Sequence, residues 1–111
     1  MKIFVSYTTR DSFINRKSLS IINTQLSQSY SPFIDIIHNT LVKSQKQKRV
    51  KLEIAQCDLF ILIQTKSIYK SAWVKREINQ AKRLNKKIKI LYIKDTYSLK
   101  ATLNKKYLIK N

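Results

Sequence analysis

Two stretches of this chain are apolar at every position, Ile3-Phe4-Val5 and Leu59-Phe60-Ile61-Leu62-Ile63. A strand with one face in water alternates apolar and polar side chains, whereas these runs have no side to offer to water. Each therefore belongs in a sheet covered on both faces. Such sheets are built from parallel strands joined by helical crossovers, and the intervening segments have helical spacing. Phe13, Ile14, Ile21, Ile22 and Leu26 recur near a helical period and predict a first helix from Ser12 to Gln28. Thr8 with Asp11 three residues later resembles a capping box in front of it. Tyr30-Ser31-Pro32 breaks the pattern, and Phe33 to Ile37 reads as a second strand with Asp35 in its middle. A carboxylate is costly in a central strand, so this one is expected at an edge of the sheet.

A loop and then a helix over Lys48 to Gln56 lead into the strand Asp58 to Ile63. Ser71 can cap a helix reaching Asn85, and after a Lys86-Lys87 turn Ile88 to Ile93 forms a fourth strand. This alternation predicts one domain, residues 1–111, folded as a flavodoxin-like three-layer α/β sandwich. Its parallel sheet has four or five strands in the order 2-1-3-4, because the first and third strands must be central. The tail, residues 95–111, carries no clear pattern and is the source of any fifth strand.

The 111 residues contain no glycine, which excludes Walker A loops and the GxGxxG dinucleotide fingerprint. One cysteine, Cys57, and one histidine, His38, cannot build a structural zinc site, and no bound metal or cofactor is expected. Cys57 precedes an apolar strand and reads as a small buried residue more readily than as half of a Cys57/His38 nucleophilic dyad. The longest apolar run is far shorter than the ~20 residues of a membrane span, and the N-terminus has no signal-peptide pattern. A cytoplasmic protein with no membrane partner is the expectation.

The net charge of +17 invites a polyanionic partner. Yet the 18 lysines outnumber 5 arginines, the side chain that contacts bases and phosphates in bidentate fashion. The abundance of Lys, Asn and Ile, all encoded by A/T-rich codons, accounts for part of the charge. With no nucleic-acid motif present, nonspecific attraction to polyanions at low salt is the reading of this surface.

One carboxylate is out of place. On the helix after Ser71, Val74, Ile78 and Ala81 form the stripe that should face the sheet, and Glu77 shares it, one turn from the chain's single tryptophan, Trp73. Burial there would raise its pKa and suit it to proton transfer or to bonding a ribose hydroxyl. The alternative is a glutamate that pairs with Lys or Arg at the helix border. In open parallel sheets, ligands bind beyond the C-terminal strand ends, where neighbouring strands send their connections to opposite faces. A crevice there would be lined by Tyr7, Thr8, Thr65, Ser71, Trp73 and Glu77, with Arg10 and Lys70 available for phosphate.

Ile3-Phe4-Val5-Ser6-Tyr7 followed by Asp11, and Ser71-Ala72-Trp73-Val74-Lys75-Arg76-Glu77-Ile78 with Ala81, together resemble a Toll/interleukin-1 receptor (TIR) domain. The similarity is greatest to bacterial TIR-like proteins of Thoeris antiphage defence, and the order of elements agrees over residues 1–94. The resemblance implies that Glu77 is catalytic for cleaving NAD, as substrate, between nicotinamide and ribose. It implies that Ser71 and Trp73 match the family's cleft residues and Ser6 and Tyr7 the end of its first strand, so that Ser6, Tyr7, Thr8, Arg10, Asp11, Thr65, Ser71 and Trp73 are expected to bind substrate, and that the chain acts as a homo-oligomer or with another TIR-domain protein. Three functions follow for testing: an NAD-cleaving enzyme giving linear or cyclic ADP-ribose, a noncatalytic TIR-like interaction module, and a basic nucleic-acid-binding protein.

Overall fold

The computed structural model describes residues 1–105 together with 108 and 109. Its elements are β1 (Lys2–Ser6), α1 (Arg16–Ser27), β2 (Ser31–Ile34), a single-turn α2 (Asp35–His38), α3 (Lys43–Gln56), β3 (Leu59–Gln64), α4 (Ala72–Arg83), β4 (Ile88–Tyr92) and α5 (Thr96–Leu103), with a 3-10 turn at Ile68–Lys70. The strands form one parallel sheet in the order β2-β1-β3-β4, with the two all-apolar strands in the middle as their sequences require. This is an α/β fold of the expected flavodoxin-like order.

Strand pleating divides the core in two. Ile3 and Val5 of β1 and Leu59, Ile61 and Ile63 of β3 point to one face, where Leu19, Ile22 and Leu26 of α1 and Leu99 of α5 cover them. Phe4, Phe60 and Leu62 point to the other, under Val50 and Ile54 of α3 and Val74 and Ala81 of α4. On that second face, Phe33, Phe4 and Phe60 occupy one register row across β2, β1 and β3. Their rings stack with centroids 5.7 and 5.4 Å apart, a cross-strand ladder that pins the register.

Several local expectations are corrected. The cap of α1 is Asn15, whose side chain accepts from Ser18 N–H while the Ser18 hydroxyl accepts from Asn15 N–H, so the helix starts later than Ser12. Thr8 instead accepts from Arg10 N–H within the preceding loop. β2 ends at Ile34, and Asp35 begins the α2 turn rather than sitting mid-strand; its carboxylate accepts from the Asn39 side chain at 2.8 Å. β2 nevertheless lies at the sheet edge. α3 begins at Lys43 rather than Lys48, because Lys and Gln favour helix while only Val50 and Ile54 bury. Within the tail, Thr96–Leu103 forms α5, capped by Asp95, and among the described residues there is no fifth strand. The Gln25 side chain bonds Leu103 carbonyl and ties α5 to α1. Lys106, Tyr107, Lys110 and Asn111 of the tail lie outside the described residues.

The absence of glycine has one visible consequence. α4 ends in a left-handed residue, and Asn85 takes that position with φ of 54°. Lys86 N–H then reaches Ala81 carbonyl and Asn85 N–H reaches Lys82 carbonyl, closing the helix with the paired bonds of a Schellman motif.

Candidate functional site

Ser6 is the last residue of β1, and its neighbours Val5 and Ile34 bury the strand end against the core. Across the sheet, the Ser71 hydroxyl accepts from Val74 N–H and starts α4, which sets the rotation of that helix. The rotation turns Val74, Glu77 and Ala81 inward together. Glu77 is only 6% exposed, and Ser6 Oγ donates to its Oε1 at 2.7 Å. Burial pushes the Glu77 carboxyl up to about 7, with Ser6 and the Trp73 side chain pulling back through hydrogen bonds and the Asp35 charge adding to the rise. A carboxyl so placed exchanges its proton near neutrality, unlike a solvated glutamate.

Trp73 is 38% exposed and forms part of the wall of a cavity of about 630 Å³ between α3 and α4. Val50 and Lys51 of α3 and Trp73, Arg76, Glu77 and Gln80 of α4 line it, and Gln80 Nε2 donates to Lys51 carbonyl at 3.0 Å, joining the two helices. A volume of this order accommodates a nucleotide-sized ligand.

The residues expected at the strand ends divide into two groups. Ser6, Trp73 and Glu77 are in direct contact, while the others hold the loops around them. Tyr7 Oη accepts from Ile36 N–H at 2.9 Å, tying β1 to α2, and burial pushes its phenol up to about 12. The Asp11 carboxylate accepts from Ser67 N–H at 3.2 Å and Ser67 Oγ at 3.1 Å, linking the loop after β1 to the loop after β3. The Thr65 and Ser67 hydroxyls hold Asp11 below the usual carboxylate range, helped by the Lys70 charge. Thr8 and Thr65 are buried, Ser71 is the α4 cap, and Arg10 stands exposed on its loop. Of the expected set, Trp73 and Glu77 alone line the α3–α4 cavity. The Tyr7 and Asp11 bonds link the loops at the strand ends, and the α3–α4 cavity runs beside them along α4.

Asp35 and the cavity cations escaped the sequence reading. Asp35 reads as a mid-strand residue in the sequence, and its charge acts instead on both Tyr7 and Glu77. The available signal was its oddity within an apparent strand. Cys57 and His38 lie at opposite ends of the sheet, before β3 and after β2. The thiol is buried, and His38 Nδ1 accepts from Ile34 N–H at 2.8 Å, so the two form no dyad. Among the described residues, no His, Cys, Asp and Glu group can hold a metal ion, and no helix is long and apolar enough to cross a membrane.

The TIR domain family model matches residues 3–109. The chain belongs to the TIR domain family. No curated protein matches the sequence. Among solved structures, the TIR domain is similar to the Clostridium botulinum CMP N-glycosidase BcmB, with a TM-score of 0.62 and 18% identity over 93% of this chain and 98% of that one. At that identity the likeness concerns the fold.

Proposed function

We propose that this TIR domain breaks an N-glycosidic bond of a nucleotide, with NAD as the substrate and Glu77 as the catalytic residue. The observation that carries the reading is the buried Glu77 carboxyl, 2.7 Å from Ser6 Oγ and beside Trp73 on the wall of the cavity. When nicotinamide leaves, the bond from the anomeric carbon to the ring nitrogen breaks, its electron pair goes to the nitrogen, and positive charge builds on the ribose. An ionised Glu77 in a desolvated setting stabilises that charge and accepts from the ribose hydroxyls. Water adds to the anomeric carbon and loses a proton, giving ADP-ribose; attack by the adenine ring of the same molecule gives a cyclic product. NAD serves here as substrate, and the scheme uses no cofactor.

Trp73 supplies an apolar wall and a bond to Glu77, and Ser6 holds the carboxyl in place. Tyr7, Thr8, Asp11, Thr65 and Ser71 shape the loops that bound the substrate, and Arg10 stands ready for phosphate. The family assignment supports the reading, as does the structural likeness to a CMP N-glycosidase. The proposal extends to signalling or Thoeris-type antiphage defence, and to assembly with copies of itself or with another TIR-domain protein. With a net charge of +17, copies repel at low salt, so assembly should strengthen as salt is added.

The test incubates concentrated protein with NAD and, in parallel, CMP at several salt concentrations, followed by chromatography for free base. Nicotinamide release that stops in Glu77→Gln is the expected result. Cytosine release alone would move the substrate to a mononucleotide, and no release under any condition would overturn the enzymatic reading in favour of an interaction module.

A further inference from the structure

The chain has six side-chain carboxylates, and each is already committed. Asp11 is bonded to Ser67, Asp35 to Asn39, Asp58 to Lys2 N–H, Asp95 to Ser98 N–H and Glu77 to Ser6, while Glu53 is in an ion pair with Arg49 at 3.4 Å. That is the one ion pair among the described residues, so none of the other described cations lies within ion-pair distance of an acidic side chain. Four of them, Lys51, Arg76, Lys82 and Arg83, line the α3–α4 cavity, where Glu77 is the only acid. None of the four charged side-chain groups bonds or pairs with another described residue, the Gln80 bond to Lys51 being to its carbonyl.

Their placement is directional. Arg76 and Arg83 are seven residues apart on one helix, two turns or about 10 Å along its axis, so they share a face. Lys51 approaches from α3 across the bridge formed by Gln80. Trp73, Arg76 and Glu77 stand toward the N-terminal end of the row and Arg83 toward the other, with about 15 Å of helix from Trp73 to Arg83, so the cations flank Glu77 from both sides along the helix. An arginine presents several N–H donors in a planar fork that fits phosphate oxygens, and two such groups without partners in one concave site form an anion receptor.

We propose that the α3–α4 cavity binds the phosphate-bearing half of a free nucleotide, with Arg76, Arg83 and Lys51 as the phosphate partners and the glycosidic bond directed to Glu77. The proposal rests on the reading of Glu77 as the point of cleavage and adds the residues that would select a nucleotide over its nucleoside. The cavity is bounded and of nucleotide size, which favours a free nucleotide over a nucleic-acid strand, whose binding would follow an extended basic groove lined by successive aromatic platforms.

Trp73 is the only tryptophan and lines the cavity, so its fluorescence reports occupancy without any turnover. The experiment titrates Glu77→Gln protein with AMP, CMP and NAD against adenosine, cytidine and nicotinamide riboside, following fluorescence and heat. It repeats the titrations with Arg76→Gln and Arg83→Gln added, and with Lys100→Ala as a charge control on α5, across the sheet from the cavity. Nucleotides should bind at least about tenfold tighter than their nucleosides, the scale of a charge-assisted bond. Either arginine change should erase most of that preference, and Lys100→Ala should preserve it. Equal binding of nucleotide and nucleoside would overturn the proposal, as would an equal loss in the Lys100→Ala control. A single-stranded oligonucleotide that outcompetes every mononucleotide would replace it with a nucleic-acid interface. Phosphate-dependent binding without base release from wild-type protein would leave the receptor standing and remove the glycosidase reading; base release without phosphate dependence would do the reverse.

Discussion

Ser6 and Glu77 are 71 residues apart in sequence, and the 2.7 Å bond between them joins the end of β1 to the second turn of α4. Both are almost fully buried, so the carboxyl is held between a central strand and the helix that packs on it. It is therefore oriented before any ligand arrives, the condition under which a charged group is effective on a developing charge.

Replacing Glu77 with Gln keeps its shape and removes its charge. Base release from NAD should fall by at least about a hundredfold, the scale seen when one preorganised electrostatic group is lost. The circular dichroism spectrum should match wild type. Cleavage at the wild-type rate would remove Glu77 from the chemistry.

The same change should alter the dependence of stability on pH. Glu77 titrates near 7 in the folded protein against the ordinary 4.5. Between those values the folded state holds a proton that the unfolded chain has released, so stability falls as pH rises. The benefit is complete below the ordinary value and gone above the folded one, a difference of at most about 3 kcal/mol. Urea titrations from pH 4 to 8 should show this decline in wild type and a flatter curve in Glu77→Gln.

Ser6→Ala removes the hydroxyl that favours the ionised carboxyl. Wild-type cleavage should rise with pH through about 7 as Glu77 ionises. The variant's profile should move to higher pH, with activity recovering under alkaline conditions. A proportional loss at every pH would mean that Ser6 serves the site by packing alone.

The sheet was legible because its two central strands are apolar without interruption, a pattern that allows few alternatives. Glu77 was legible because an acid interrupts the apolar stripe of α4 beside Trp73. Asp35 was not, since Phe33 to Ile37 is as rich in β-formers as a longer strand, and only tertiary packing ends β2 at Ile34. The cavity arginines were hidden for a different reason: on a helix with so many cations, nothing in the periodicity separates those lining a concave site from those on an open face.

Asn85 should tolerate glycine and resist alanine. Its φ of 54° costs a residue with an ordinary Cβ about 1 kcal/mol, which asparagine partly avoids and glycine wholly does. Asn85→Ala should lower the thermal midpoint by several degrees, and Asn85→Gly should match or exceed wild type. Both should leave base release unchanged, since Asn85 lies beyond the end of α4.

Asp11 has the opposite linkage to Glu77. Its carboxylate is held below the ordinary 3.8 by the Thr65 and Ser67 hydroxyls and Ser67 N–H, so its contribution to stability is present above that value. It is lost as pH falls through the folded pKa, when protonation removes the acceptor that joins the loops after β1 and β3. Asp11→Asn keeps one acceptor oxygen and should weaken the fold at pH 7 while making it less sensitive to acid below pH 4. Amide exchange should locate the change at Ser67, whose N–H loses a charged acceptor, and protection there equal to wild type at pH 7 would show that the carboxylate's charge does not hold the loops together.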